Sequence, residues 1–279
     1  MPLPPISIEF FPPKTPAGTR KLHNVREQLS AFSPEYFSVT YGAGGSTRSG
    51  TQQTVLDIHA AGAAVAPHLS FGTDAPEAIG ELIDAYRNAG INRVVALRGD
   101  APSGSGGPGK LRYAQELVRF IRERTGDHFH IEVAAYPEIH PESLSVETDL
   151  HYFKEKVEAG ANRAITQYFY NPDAYFRYVD LCSKAGVTID IVPGIMPITN
   201  YPNLKRFSDG CGAEIPRWLA RQLESFGDDT ETLVAFGIDV VTTLCERLVA
   251  GGAPGIHFYA LNQTDPTRQI IRNLQGSDR

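Results

Sequence analysis

The chain has 279 residues, of which 42% are hydrophobic and 21% charged, the proportions of a globular protein with a sizeable core. Its net charge of −6 argues against nucleic acid or an anionic membrane as the main partner. No apolar run approaches the roughly 18 residues that span a bilayer, and no basic leader segment is visible. The three cysteines share no CxxC spacing, which is typical of a reducing compartment. We therefore expect a cytoplasmic protein without disulfides or structural zinc.

Apolar strands alternate with helical periodicity along the whole chain. The first predicted strand, Ile6-Ser7-Ile8-Glu9-Phe10, is followed by two prolines that cannot donate to a sheet. Later strands are predicted over residues 36–41, 65–71, 93–98, 131–136, 163–170, 188–192 and 255–261. Helices are predicted over residues 20–30, 54–61, 75–89, 113–125, 143–159, 172–185, 203–207, 229–250 and 265–274.

Glycines end five of these helices at a regular spacing. They stand at positions 62, 90, 126, 160 and 186, at intervals of 28, 36, 34 and 26 residues. This is the period of a strand–helix unit in which glycine closes the helix. Eight such units predict a single (β/α)8 TIM barrel over residues 1–279, with a doubly wound sheet as the alternative, since sequence alone does not show closure.

Polar residues cluster where the predicted strands end, which is where barrel enzymes keep their catalytic groups. Because strand side chains alternate between faces, Glu9 points away from the side of Ile8 and Phe10. A carboxylate in so apolar a strand must be paired, protonated or functional. The clustered residues are Glu9, Thr40, His68, Arg98, Asp100, Tyr136, Glu138, His140 and Gln167. Each alone has a structural explanation, but together they predict a site.

Three other motifs carry no function in this interpretation. The glycine-rich segment 104–109 matches GxGxxG as a string, but it contains Pro108 and does not turn directly from strand to helix, so we interpret it as a loop. Arg98-Gly99-Asp100 spells an adhesion tripeptide without a secretion signal. His128 and His130 fall at a strand start, the wrong end for a barrel site, so no metal site is predicted.

Seven blocks of sequence, in collinear order from the first strand to the eighth, resemble the methylenetetrahydrofolate reductases. The blocks are Glu9-Phe-Phe-Pro-Pro, Ser38-Val-Thr-Tyr-Gly-Ala, Ala66-Pro-His-Leu, Ala96-Leu-Arg-Gly-Asp, Val133-Ala-Ala-Tyr-Pro-Glu-Ile-His-Pro, Gly160-Ala-Asn-Arg-Ala-Ile-Thr-Gln and His257-Phe-Tyr-Ala-Leu-Asn. The resemblance implies an FAD enzyme that reduces 5,10-methylenetetrahydrofolate to 5-methyltetrahydrofolate, feeding methionine synthesis. NADH or NADPH reduces the flavin and leaves before the folate enters, and a homo-oligomer is implied by analogy.

The resemblance also assigns roles to individual positions. Glu9 resembles the general acid that protonates the folate, and Asp100 the carboxylate beside flavin and pterin. Residues implied in substrate binding are Asp100, Gln167, Phe207, Tyr259, Leu261 and Gln263. Residues implied in FAD binding are Thr40, Tyr41, Ala43, His68, Arg98, Gly99, Asp100, Tyr113, Ala114, Tyr136, His140, Asp149 and Lys156. At Gln263, Tyr152 and Glu155 the chain departs from the enteric bacterial members.

The chemistry of these side chains agrees with the implied reaction. An unperturbed glutamate ionises near pH ~4.3, so a proton donor at neutral pH needs a raised pKa. We expect the apolar neighbours of Glu9, and Asp100 if it is close, to raise that pKa. Arg98 and Lys156 are the expected partners of an anionic pyrophosphate.

Two other functions fit the same sequence. A barrel lyase or aldolase would use Lys156 as a Schiff base, and the protein would be colourless. A non-catalytic flavin- or folate-binding protein would keep the pocket but tolerate replacement of Glu9.

Overall fold

The computed structural model describes residues 3–41, 48–71, 75–98 and 113–276. The strands are Ile6–Phe10 (β1), Tyr36–Val39 (β2), Val65–Ser70 (β3), Arg93–Leu97 (β4), His130–Ala135 (β5), Arg163–Thr166 (β6), Asp190–Val192 (β7), Gly194–Ile195 (β8) and Ile256–Tyr259 (β9). The helices are Pro16–Ser30 (α1), Arg48–Ala60 (α2), Pro76–Asn88 (α3), Ala114–Thr125 (α4), Val146–Glu158 (α5), Pro172–Lys184 (α6), Tyr201–Cys211 (α7), Arg217–Ser225 (α8), Thr230–Ala250 (α9) and Thr267–Gln275 (α10). Within these ranges, no helix is long and apolar enough to cross a membrane.

The sheet closes through its seventh strand, which is split in two by Pro193. The strand order is β7-β6-β5-β4-β3-β2-β1-β9-β8, and all pairs are parallel. The first half, β7, pairs with β6, and the second half, β8, pairs with β9. Proline cannot donate to a ladder, but the carbonyl of Pro193 accepts the His257 N–H at 3.0 Å. One interrupted strand therefore joins both edges of the sheet, which confirms the predicted (β/α)8 TIM barrel.

Two predicted strand ends differ most from the structure. The seventh strand was expected to stop at residue 192, yet pairing resumes at Gly194. The sixth was expected to reach residue 170 but ends at Thr166, because hydrogen bonds that involve side chains replace the strand pairing there. Thr166 Oγ1 accepts the Gly194 N–H at 2.8 Å, and Tyr259 donates its hydroxyl to the Thr166 carbonyl at 2.7 Å.

The backbone conformation confirms that glycines end the five predicted helices. Each of the five predicted helix-ending glycines has a positive φ, from 57° at Gly126 to 113° at Gly160. Residues with a Cβ rarely adopt this conformation, so glycine is needed where each helix turns back towards the sheet. Helix α1 begins earlier than expected, at Pro16, because the Thr15 side chain accepts the Gly18 N–H as its cap.

Alternation along the strands separates two environments. The larger core cluster, between sheet and helices, contains Ile8 and Phe10 together with Leu22 and Leu29 of α1. A smaller apolar cluster, Tyr36, Ala66, Val95 and Ile165, comes from the alternate positions of β2, β3, β4 and β6 and therefore faces the barrel interior.

The interior at the amino end of the barrel is closed by charged side chains. Glu132, fully buried, accepts from the guanidinium of Arg93 and from the Tyr36 hydroxyl, the latter at 2.6 Å. Glu35 bridges Arg93 and Arg163 at 2.6 and 2.7 Å. The network ties β2, β4, β5 and β6 together at the end opposite the strand termini where catalytic groups are expected.

Replacing Glu132 tests the contribution of this network. In Glu132→Leu, Arg93 loses one of its two carboxylates and the Tyr36 hydroxyl loses its acceptor. We expect the free energy of unfolding, measured in urea, to fall by about 3–5 kcal/mol.

A matched control is Asp180→Asn, which removes the exposed Lys184 pair on α6, 2.7 Å long. This change should cost less than about 1 kcal/mol. Equal losses in the two variants would contradict a special role for the buried network.

Candidate functional site

A cavity of about 860 Å³ opens at the carboxyl ends of the strands. Its lining includes Glu9 from β1, His68 from β3, Ile165 from β6 and Tyr259 from β9. This is the end of the barrel where catalytic side chains gather, and the volume is within the range of small-molecule sites.

Most of the predicted site residues meet in this cavity. Those that line it are Glu9, Thr40, Tyr41, His68, Arg98, Tyr113, Ala114, Tyr136, His140, Asp149, Lys156, Gln167, Phe207, Tyr259 and Leu261. Gln263 is not part of the lining; its backbone N–H donates to the Ala260 carbonyl at 2.9 Å in the turn after β9. Ala43, Gly99, Asp100 and the glycine-rich segment 104–109 lie outside the described residues.

The carboxylate of Glu9 lies between two imidazoles. Its Oε2 is 3.2 Å from Nε2 of His68 and 3.5 Å from Nε2 of His257. His257 is fully buried, and its Nδ1 lies 2.7 Å from the Ser7 hydroxyl, which holds the ring in place. A chain of polar side chains therefore leads from the barrel interior to the carboxylate.

The expected rise in the pKa of Glu9 is wrong. Burial, the largest single contribution, raises this pKa, but the interactions with His68 and His257 outweigh it and lower the pKa to about 2. Of the apolar neighbours expected to raise the pKa, which are Phe10, Phe11, Pro12 and Pro13, Phe10 lies on the other face of the strand in the core, whereas Phe11 lines the same cavity as Glu9. Glu9 is therefore ionised at neutral pH in the ligand-free site.

Asn262 holds the chain directly after β1, the strand that carries Glu9. Its side chain accepts the Phe11 N–H and donates to the Phe11 carbonyl, both at 2.8 Å. These two bonds continue the link between β1 and β9 at the point where prolines follow in the sequence. Leu261 and Asn262 both have positive φ, at 52° and 54°, so the loop is held in a conformation uncommon for such residues.

The two cationic side chains of the site have protein partners. Arg98 pairs with Glu142 through both guanidinium nitrogens, at 2.5 and 2.8 Å. Lys156 is half-buried and donates to the Ala134 carbonyl, and burial lowers its pKa to about 8. An anionic ligand at this position would meet a guanidinium that already holds a carboxylate.

Amide and aromatic groups form the wall near Glu9. The Gln167 side chain accepts the Tyr168 N–H at 3.0 Å, which leaves its amide nitrogen for another acceptor. Phe207, on α7, is 39% exposed although it is a large apolar side chain. A flat, partly polar ring is the kind of ligand that such a wall accommodates.

Two buried polar atoms in the cavity have no hydrogen-bond partner within the described residues. They are Thr40 Oγ1 and Nε2 of His68, the latter contacting Glu9 without hydrogen-bond alignment. Since buried polar atoms are nearly always hydrogen-bonded, this arrangement fits a polar cofactor at the ends of β2 and β3. No cluster suited to a metal ion occurs in the part of the chain that the structure describes.

Sequence reasoning assigned no role to several residues of the site. His257 and Asn262 lie within a quoted block, and alternation along β9 could have placed His257 on the inner face with Tyr259. Other unassigned lining residues are Phe11, Arg48, Gln115, Glu142, Ser143, Tyr152, Tyr168, Met196 and Cys211. They come from loops and helices whose approach no local pattern indicates.

Comparison with known proteins covers nearly the whole chain. Residues 4–275 match the methylenetetrahydrofolate reductase family. The chain is 40% identical over 270 residues to 5,10-methylenetetrahydrofolate reductase of Escherichia coli, covering 96% of this chain and 90% of that protein. It is 37% identical over 287 residues to methylenetetrahydrofolate reductase (NADH) 1 of Arabidopsis thaliana, covering 96% of this chain and 48% of that protein.

Solved structures share the barrel at low identity. An uncharacterised protein from Clostridium thermocellum that binds two copies of 5-methyl-5,6,7,8-tetrahydrofolic acid matches with a TM-score of 0.69 and 16% identity, over 98% of this chain and 95% of that one. Deoxyribose phosphate aldolase from Aeropyrum pernix matches with a TM-score of 0.52 and 14% identity, over 96% and 89%. These two likenesses concern the fold, whereas the sequence matches concern descent. By the match over residues 4–275 and by its bacterial relatives, the chain belongs to the methylenetetrahydrofolate reductase family.

Proposed function

We propose that the chain is an FAD-dependent enzyme that reduces 5,10-methylenetetrahydrofolate to 5-methyltetrahydrofolate with NADH or NADPH, supplying methyl groups for methionine synthesis. Reductant and folate use one site in turn, on a single catalytic domain over residues 1–279. Family membership supports the reaction, and the name of the Arabidopsis relative supports NADH. The observation that carries the proposal is the Glu9 carboxylate, 3.2 and 3.5 Å from two imidazoles at the catalytic end of the barrel.

Glu9 delivers a proton to N10 of the folate, so that the five-membered ring opens before reduction. The carboxylate lies 3.2 and 3.5 Å from the Nε2 atoms of His68 and His257, and an imidazole is a group that can supply it with a proton. Glu9 passes this proton on when the folate nitrogen comes within reach, and an imidazole supplies it, as general acid catalysis requires.

The surrounding side chains orient the substrate and exclude water. The free amide nitrogen of Gln167 donates to the pterin, and Phe207 stacks on its ring. Tyr259 cannot donate to the ligand, because its hydroxyl donates to the Thr166 carbonyl at 2.7 Å, so it supplies an apolar ring face. Asp100, whose structure is not described, completes the site in this proposal.

The cofactor is held by the wall between β2 and α5. A bound FAD would supply the hydride chemistry that links the nicotinamide to the folate. Thr40 Oγ1, buried without a hydrogen-bond partner within the described residues, suits a polar cofactor there, and His68 lines the same cavity. Arg98 and Lys156 hold its pyrophosphate, with Tyr41, Tyr113, Ala114, Tyr136, His140 and Asp149 lining the same region. Ala43, Gly99 and Asp100 belong to the same proposed set.

A Schiff-base lyase or aldolase is the second candidate. One observation favours it: burial lowers the pKa of Lys156 to about 8, which increases the share of neutral, nucleophilic amine. The amine nevertheless donates to the Ala134 carbonyl, which holds it against the sheet. We therefore place this function behind the reductase.

Borohydride trapping separates the two candidates. A Schiff-base enzyme treated with a carbonyl substrate and borohydride acquires a covalent adduct on Lys156, detectable by mass spectrometry. We expect no adduct, together with flavin absorbance of the purified protein or uptake of FAD on titration. The reductase proposal would be contradicted if the unaltered protein formed an adduct that Lys156→Arg did not form, and if the unaltered protein took up no FAD.

The variant Glu9→Gln separates the two half-reactions. Glutamine keeps the shape of the side chain but cannot transfer the proton, so folate reduction should slow about 10²- to 10⁴-fold. Flavin reduction by NADH should stay within about threefold of the unaltered rate, because hydride transfer to flavin needs no proton at N10. Stopped-flow absorbance of the flavin measures each step separately.

The exposed Glu27→Gln change on α1 is the matched control and should leave both steps unaltered. Comparable losses of both half-reactions in Glu9→Gln would show instead that Glu9 maintains the structure of the site.

Stability should depend on pH through Glu9. Its pKa falls from 4.5 when unfolded to about 2 in the folded chain, so its stabilising effect is complete above pH 4.5 and lost as pH falls through 2. The difference in unfolding free energy between the unaltered protein and Glu9→Gln should shrink by about 2 kcal/mol from about pH 5.5 to about pH 3. Urea unfolding at both pH values measures it. A difference that grows on acidification would mean that Glu9 is protonated in the folded protein.

A further inference from the structure

Two tyrosines in the exposed part of the cavity stack on each other. Tyr113 precedes α4 and Tyr152 lies in α5; their ring centroids are 5.6 Å apart and the ring planes differ by 13°. Both line the cavity, yet they are 40% and 39% exposed. Large aromatic side chains held parallel and left this open to solvent contribute little to the core, so they form a surface on which another flat ring can stack.

The elements that carry the two rings are fixed relative to each other. The Tyr113 N–H donates to the Glu116 carboxylate at 2.8 Å, and the Glu116 N–H donates back to the Tyr113 carbonyl at 3.1 Å, which sets the first turn of α4. Gln115 donates to Glu155 at 3.0 Å and so links α4 to α5. The stacked pair is therefore preorganised before any ligand arrives, which reduces the ordering cost of binding.

The spacing of the rings decides how a ligand can use them. A separation of 5.6 Å is that of a direct offset contact, so no third ring fits between the two tyrosines. A ligand ring must stack on an outward face of the pair. Stacking of this kind accepts any flat heteroaromatic ring, and a purine offers a large one.

The cavity has three parts with different chemistry. At the buried end, Glu9 is 11% exposed and sits beside His68, as the chemistry requires. Arg98 and Lys156 also line the cavity and suit an anionic group. The exposed tyrosine pair offers a second, purely stacking surface. A ligand with a reactive ring, an anionic linker and a second flat ring would match all three parts.

We propose that Tyr113 and Tyr152 form the platform for the adenine base of the flavin nucleotide, an inference that rests on the proposed function. Tyr152 is thereby a cofactor-binding residue, and the role of Tyr113 is narrowed to one part of the cofactor. The pair recognises adenine by its ring surface and not by hydrogen bonds. Loss of either ring should therefore weaken binding of FAD while sparing flavins that lack adenine.

The experiment compares FAD with FMN on protein stripped of flavin. Each is titrated into the unaltered chain, Tyr152→Ala, Tyr152→Phe and Tyr113→Ala, with flavin fluorescence as the readout and no nicotinamide present.

Alanine at either position should raise the Kd for FAD about 5- to 150-fold, the range for one base stacked on one aromatic ring. FMN should bind all four proteins within about twofold, and Tyr152→Phe should bind FAD like the unaltered chain. Glu158→Gln, an exposed change on α5 outside the cavity lining, controls for surface changes and should alter nothing.

Each other outcome overturns the inference. Equal weakening of FAD and FMN by Tyr152→Ala would mean that the ring maintains the pocket without recognising adenine. Unchanged Kd values with a raised KM for NADH would assign the pair to the adenine of the reductant. Failure of the unaltered chain to bind either flavin would overturn the proposed function as well, so the two failures are distinguishable.

Discussion

The site depends on one buried electrostatic contact, the carboxylate of Glu9 held between the imidazoles of His68 and His257. A lone carboxylate inside the barrel would bear an uncompensated burial cost, and each imidazole reduces it. The contact requires β1 to lie between β9, which carries His257, and β2, with β3 one strand further on. The strand order of the barrel and the chemistry of the site are therefore set by the same arrangement.

The barrel interior divides into two polar regions separated by a short apolar layer. At the amino end, Glu132, Arg93, Glu35 and Arg163 pair with one another. At the carboxyl end, Thr40 Oγ1 has no hydrogen-bond partner among the residues that the structure describes. Ion pairs hold the strands together at the amino end, although Arg163 Nε there also lacks a partner among the described residues. A polar atom without a partner inside the cavity can be completed by a ligand. The two ends of the same strands thus serve stability and binding separately.

Acid catalysis at Glu9 takes a different form from the one that its apolar sequence neighbours predict. Of those neighbours, Phe10 faces the helices and Phe11 lines the cavity, but the carboxylate also faces two imidazoles. With the pKa of Glu9 lowered to about 2, the carboxyl group does not itself store a proton at neutral pH, and in the proposed mechanism an imidazole supplies it. A donor of this kind combines a carboxylate in contact with substrate and an imidazole that replenishes it.

The sequence by itself determined the strand–helix rhythm and the helix-ending glycines, because alternation and turn chemistry are local. Its resemblance to the family supplied most of the residues that meet at the cavity. The tertiary structure decided three matters that depend on residues far apart in the chain. Pro193 splits the strand that closes the barrel, Arg98 is held by Glu142, and His257 reaches Glu9 across 248 positions. The sign of the Glu9 pKa shift followed from the last of these, since a pKa reflects neighbours in space and not neighbours in sequence.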